Sequence, residues 1–212
     1  AANQSIPHGL TQAPDFSIIK NMVGTNNWTV FHRSVTTTTQ KVFYLNTTGA
    51  IVDYSGGDST WWGTLPGASV FTIGATGTAI NNGTNDMISY HWHDVPGLQK
   101  FGSYTGNGNA DGPMIVTDFK PAILWIKSTG SGTYWTILDS DRDPGNIMGQ
   151  KLYANSSSAE NTVTSNTLDF LSNGFKVRST SGDFNTSSTS YIYCAWAEAP
   201  AFNMFGATST AF

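Results

Sequence analysis

Ile88-Ser89-Tyr90-His91-Trp92-His93-Asp94-Val95-Pro96 decides the fold, because its pattern returns at Ile192-Tyr193-Cys194-Ala195-Trp196-Ala197-Glu198-Ala199-Pro200. Ile88, Tyr90 and Trp92 alternate with Ser89, His91 and His93; Ile192, Cys194 and Trp196 alternate with Tyr193 and Ala195. A period of two marks a half-buried β-strand. The Ile88/Tyr90/Trp92 and Ile192/Cys194/Trp196 sets are expected to face the core, which makes Trp92 and Trp196 core residues.

The match extends upstream in register. Pro14-Asp15-Phe16-Ser17-Ile18-Ile19-Lys20 meets Pro121-Ala122-Ile123-Leu124-Trp125-Ile126-Lys127, and Trp28-Thr29-Val30-Phe31 meets Trp135-Thr136-Ile137-Leu138 at the same spacing. Gln40-Lys41-Val42-Phe43 then aligns with Gln150-Lys151-Leu152-Tyr153, and Asn46-Thr47-Thr48 with Asn155-Ser156-Ser157. Collinear matches of this kind indicate a duplicated unit. Copy one runs over residues 10–96 and copy two over 118–200, with a glycine-rich connector at 97–117 and a C-terminal tail at 201–212. Phe101, Tyr104, Met114, Ile115 and Val116 in the connector look like strand residues, so the copies are expected to pack as one compact unit.

Each copy consists of short β-rich runs, among them Val42 to Leu45, Val70 to Ile73 and Phe175 to Val177. Turn-formers such as Gly24-Thr25-Asn26-Asn27, Asn81-Asn82-Gly83 and Ser172-Asn173-Gly174 separate them. Many short strands without helical intervals predict an all-β fold, an antiparallel β-sandwich built from an internal duplication of a short-strand unit.

Composition limits the function. Only 11% of residues are charged, which argues against disorder, and 39% are hydrophobic, enough for a substantial core. With 10 Lys+Arg against 14 Asp+Glu there is no cationic surplus for a phosphate backbone, so no nucleic-acid partner is expected. No apolar run approaches ~18 residues and no charged-then-apolar leader opens the sequence, so neither membrane insertion nor a signal peptide is expected. The single Cys194 has no intrachain partner for a disulfide, which suits synthesis in a reducing cytoplasm.

Three motifs bear on chemistry. Gly106-Asn107-Gly108-Asn109-Ala110-Asp111-Gly112 has the wrong glycine spacing for a dinucleotide loop and precedes a strand, so it is expected to be a structural turn. Asp139, Asp141 and Asp143 alternate as calcium ligands do. Pro144, however, stands where a calcium loop needs glycine, and Arg142 offers a partner, so an Asp/Arg turn is expected. His91 and His93 share one face of a strand, a spacing that can hold zinc, but Ala195 and Ala197 replace them in copy two; hydrogen-bonded or solvated histidines are expected. No nucleophile elbow or paired-carboxylate cleft is present, so no enzyme activity, catalytic residue, metal or cofactor is expected.

Lys100-Phe101-Gly102-Ser103-Tyr104-Thr105-Gly106-Asn107-Gly108, Ala110-Asp111-Gly112-Pro113, Asp141-Arg142-Asp143-Pro144, Asp169-Phe170-Leu171-Ser172-Asn173-Gly174-Phe175 and Tyr191-Ile192-Tyr193 with Ala197-Glu198 carry a resemblance. Together they resemble an uncharacterised β-rich domain found at the C-terminal end of tail-fibre-like and other virion proteins of tailed, often marine, phages. The resemblance implies a surface-exposed virion structural protein: tail fibre, fibre tip or capsid decoration. Its implied partners are other virion proteins, further copies of itself and a host-surface glycan. The alternative is a stand-alone carbohydrate-binding module; a polysaccharide-degrading enzyme ranks third.

One interval is peculiar to copy one. Ile51 to Pro66 contains Gly56-Gly57-Asp58 and then Trp61-Trp62, with no aromatic counterpart among Thr162 to Asn166. Adjacent residues of an extended chain point to opposite sides, so one indole is expected at the surface as a ligand-binding or subunit-contact group; the competing expectation is that both rings plug the end of the sandwich.

Overall fold

The computed structural model describes residues 2–54, 61–75, 79–130, 132–161 and 167–198. The Gly56-Gly57-Asp58 turn, Thr162 to Asn166 and the tail 201–212 lie outside the described residues. Within them the chain is all-β, with sixteen strands and no helix. It divides into two units, Ala1–His93 and Asp94–Phe212.

The first unit contains β1 (Gln4–Pro7), β2 (Phe16–Asn21), β3 (Thr29–His32), β4 (Lys41–Tyr44), β5 (Val52–Asp53), β6 (Trp62–Thr64), β7 (Val70–Ile73) and β8 (Met87–Trp92). They form a five-stranded antiparallel sheet, β5-β4-β3-β2-β8, and a three-stranded one, β1-β7-β6. The second unit contains β9 (Gln99–Thr105), β10 (Met114–Val116), β11 (Pro121–Ser128), β12 (Thr136–Asp139), β13 (Leu152–Tyr153), β14 (Leu168–Leu171), β15 (Gly174–Val177) and β16 (Ser190–Ala197). Its sheets run β13-β12-β11-β16-β9 and β10-β15-β14. The apolar residues of the 97–117 connector therefore belong to two strands, β9 and β10, of the second unit.

The orders β4-β3-β2-β8 and β13-β12-β11-β16 correspond strand for strand, as do β1-β7-β6 and β10-β15-β14. Register corresponds too. Phe16 faces His32 and Trp92, while Ile123 faces Asp139 and Trp196. Turn bonds repeat as well: the Trp28 N–H donates to Asn46 Oδ1 at 3.0 Å and the Trp135 N–H to Asn155 Oδ1 at 2.9 Å. The sequence alignment slips by one residue at β13. Val30 pairs with Phe43 and Ile137 with Leu152, so Leu152 corresponds to Phe43, not Val42. A slip of one exchanges the two faces of a strand. Lys151 accordingly takes the place of Val42, and its ammonium lies 5.2 Å from the centre of the Phe184 ring.

In each unit the two sheets share a core. Ile19, Phe31 and Val42 meet Trp62, Phe71 and Ile73 in the first; Leu124, Ile126 and Leu138 meet Leu168, Phe170, Phe175 and Val177 in the second. β16 faces the core the opposite way from the alternation expected of β8 and β16. Tyr191, Tyr193 and Ala195, not Ile192, Cys194 and Trp196, belong to the inter-sheet core. Ile192 and Cys194 are nonetheless buried, because this strand is covered on both faces, so hydrophobic alternation does not say which face meets the smaller sheet. A tyrosine can face inward when its hydroxyl is satisfied, and Tyr191 Oη donates to Gly182 O at 2.8 Å. Trp92 and Trp196 are half-buried rather than core residues.

Candidate functional site

Trp61 and Trp62 do not present an exposed ring. Trp62 is 1% exposed, lies edge-on to Phe31 at 5.4 Å, and donates its indole N–H to Lys41 O at 3.0 Å. Trp61 is 8% exposed and packs on Tyr54 and Tyr44 at 5.4 and 6.1 Å. The expectation of a surface indole is thus corrected: the chain folds the Trp pair into the end of the first unit's core, where Tyr54 and Tyr44 close over it. Tyr44 Oη and Tyr54 Oη share a hydrogen bond of 2.8 Å, and burial and that bond raise the Tyr44 pKa.

The polar motifs resolve into structural contacts. Asp143 Oδ2 accepts the amides of Gly149 and Gln150 at 2.6 and 2.9 Å, Asp139 pairs with Arg142 at 3.4 Å, and Arg142 also holds Glu160. The hollow beside this turn, about 260 Å³, is lined by Asp143, Asn146, Lys120 and Glu198, the last two already paired at 2.6 Å. His91 Nδ1 lies 2.8 Å from Ser17 Oγ, and its ring packs on Phe71 at 4.3 Å. Burial, with the charge of His8 nearby, lowers the His91 pKa to about 4. No cluster of three or more metal-ligating His, Cys, Asp or Glu side chains occurs among the described residues.

The glycine-rich turn is pinned by Asn185, which is fully buried. Its Nδ2 donates to Asn107 Oδ1, Asn109 O and Ser179 O at 3.0, 2.6 and 2.9 Å, and its Oδ1 accepts the Asn107 N–H at 2.8 Å. Gly112 is required because a Cβ there would sit 2.7 Å from Val177 O. The turn is closed by protein groups, as its spacing predicts.

Two features escape sequence reasoning. Lys20 and Lys127, at corresponding positions, turn their ammonium groups onto hairpin carbonyls: Lys20 onto Asn21 O and Gly24 O, Lys127 onto Ser128 O and Gly130 O as well as Thr133 Oγ1. Lys127 is fully buried, and burial lowers its pKa to about 8 against the opposing pull of Asp183. Alignment marks these lysines as repeated, but an apolar-polar pattern gives no sign that the charge points inward.

The second is an aromatic groove on the first unit. Trp28, Tyr90 and Met22 are 37%, 43% and 59% exposed and, with Ile88, Lys20 and Asn21, line a groove of about 190 Å³. Register places them there: Lys20 pairs with Ile88 and Ile18 with Tyr90, so alternate residues of β8 rise on one face beside the β2–β3 hairpin. Tyr90 stacks on Trp92, centroids 6.2 Å apart and rings inclined by 21°. The hairpin is braced by Asn21, which accepts the Val23 N–H at 2.9 Å, and by Asn46, which holds Trp28 N and Asn27 Oδ1. In the second unit the corresponding residues are Trp135, Cys194 and Ile192, all buried. The exposed rings are therefore not a requirement of the shared strand framework.

The chain belongs to the family described as Domain of unknown function (DUF7483), which matches residues 1–200. No curated protein and no solved structure matches it.

Proposed function

We propose that this DUF7483 chain is a surface component of a virion, in a tail fibre, fibre tip or capsid decoration, and that it binds through the aromatic groove of its first unit. The observation that carries the reading is the joint exposure of Trp28, Tyr90 and Met22 on a braced hairpin and strand. Apolar side chains gathered into one exposed groove mark interaction sites, and rigid aromatic rings lose little entropy on binding. The resemblance to phage tail-fibre-like domains supplies the setting. A free, buried Cys194 in a fold held by packing is compatible with assembly in a host cytoplasm. Duplication of one ancestral unit is proposed as the source of the corresponding ladders.

Immunogold labelling of purified particles tests the setting: gold at the particle surface is expected, and particles free of the chain refute a virion role. Trp28→Ala and Tyr90→Ala test the groove, each expected to reduce attachment to host cells while the melting temperature holds. The alternative, a free carbohydrate-binding module, uses the same groove and predicts glycan binding by a chain missing from particles.

A further inference from the structure

We infer that the Trp28–Tyr90 groove is a subsite for the apolar face of a neutral sugar ring. This inference rests on the binding role proposed for the groove and narrows it to one chemistry.

Size fits a small ligand: the groove lined by Trp28 and Tyr90 has a volume of about 190 Å³, the scale of one or two sugar rings. Its chemistry is that of a stacking platform: the lining is mostly aromatic and aliphatic, and an aromatic ring offers an apolar face to the C–H face of a pyranose. Charge selects a neutral ligand. Among the described residues, Lys20 is the one cation in the lining and already donates to Asn21 O and Gly24 O, and no carboxylate lines the groove. Residues 1–93 hold three Lys+Arg against four Asp, so the first unit has no cationic surplus to recruit an acidic polysaccharide. Pairing of β2 with β8 and the Asn-braced hairpin fix the backbone that carries both rings.

The test is titration of the full chain with neutral hexasaccharides (cellohexaose, maltohexaose and chitohexaose) and with an acidic one of equal length, hexagalacturonate. Calorimetry and the indole N–H resonance of Trp28 provide the readouts. At least one neutral hexasaccharide is expected to bind and shift the Trp28 resonance, with hexagalacturonate binding at least tenfold more weakly. Trp28→Ala and Tyr90→Ala are expected to weaken neutral binding tenfold or more, the loss of about 1.4 kcal/mol or more. Tyr90→Phe, which keeps the ring, is expected to stay within about twofold, a loss of less than ~0.5 kcal/mol. The resonance shift needs no variant, so a misfolded Trp28→Ala leaves the test intact. Stronger binding of hexagalacturonate, neutral binding without a Trp28 shift, or no binding of any probe overturns the sugar assignment. In that last case, if Trp28→Ala still abolishes host-cell attachment, the binding role of the groove survives; if attachment also persists, both fall.

Discussion

Replacing Trp62 with alanine separates a core indole from a surface anchor more sharply than any other single change. Its side chain is all but inaccessible and fills the space between the first unit's two sheets, against Phe31. An aromatic side chain of this size buries roughly 150–250 Å², worth about 4–6 kcal/mol at ~25 cal/mol per Å², and compactness of the unfolded chain reduces that by a tenth or more. Measured Trp→Ala changes in cores fall at about 3–5 kcal/mol, in agreement. Loss of the N–H bond to Lys41 O at 3.0 Å leaves a backbone acceptor without its partner and adds on the order of 1 kcal/mol.

Trp62→Ala is therefore expected to lose about 4–5 kcal/mol, a large share of the roughly 5–15 kcal/mol typical of a domain. Trp62→Phe keeps most of the volume but not the donor, and is expected to lose about 1–2 kcal/mol. The assay is urea unfolding followed by circular dichroism and tryptophan fluorescence. Because the chain has two units, the first transition to move is to be assigned by amide exchange on β3 and β4. A loss under about 1 kcal/mol for Trp62→Ala would refute the core placement and return the indole to a surface role.

Three further outcomes are expected. Asn185→Ala removes four hydrogen bonds from a buried side chain and should cost about 3 kcal/mol, with fast exchange appearing at the Asn107 amide, which loses its acceptor; slow exchange there counts against Asn185 as the pin of the glycine turn. Lys127 keeps its proton up to about pH 8 in the fold and to about 10.5 when unfolded, so the penalty of burying its charge is relieved as pH rises between those values. The stability of the wild type relative to Lys127→Met should then climb from pH 8 to 10, and a flat difference would show that the ammonium is not desolvated. His91 titrates near 4 in the fold against 6.5 unfolded, so its contribution is present above pH 6.5 and lost as pH falls toward 4. Acid unfolding curves of wild type and His91→Gln should diverge over that window by about 2 kcal/mol, after discounting for partial solvation.

The strand-for-strand correspondence of the two units is legible in the sequence because two signals agree: the period of two along Ile88 to Trp92 and Ile192 to Trp196, and the collinear partners of those strands. What stays hidden follows from the same physics. Alternation identifies the inward face only when the other face is wet. Phe16, Ile18 and Val30 are as buried as Ile19 and Phe31 on the opposite face, so the five-stranded sheet gives no polar side to orient by. The slip at Gln150-Lys151-Leu152 has a related origin: β13 is two residues long, too short for a pattern to fix its register. Alternation assigns Tyr90 to the core, yet it stands at the surface, and the groove it builds with Trp28 depends on a pairing between strands far apart in sequence.

The correspondence of the two units also serves as an internal comparison of framework with function. Positions that carry the ladder keep their roles in both: the lysine that donates to hairpin carbonyls, the asparagine that accepts the Trp28 or Trp135 N–H, the paired strands around β2 and β11. These are set by backbone groups that must be satisfied in either unit. Side chains that leave the sheet are free of that demand, and there the units part. Trp28 and Tyr90 emerge at the surface where Trp135 and Cys194 are buried. A position that the shared backbone does not constrain, yet that exposes two aromatic rings to water, is held against the hydrophobic effect in its own unit. That favours the first unit for the binding role proposed above, and this groove ahead of the more polar hollow beside Asp143, whose Asp143, Lys120 and Glu198 are already matched within the chain.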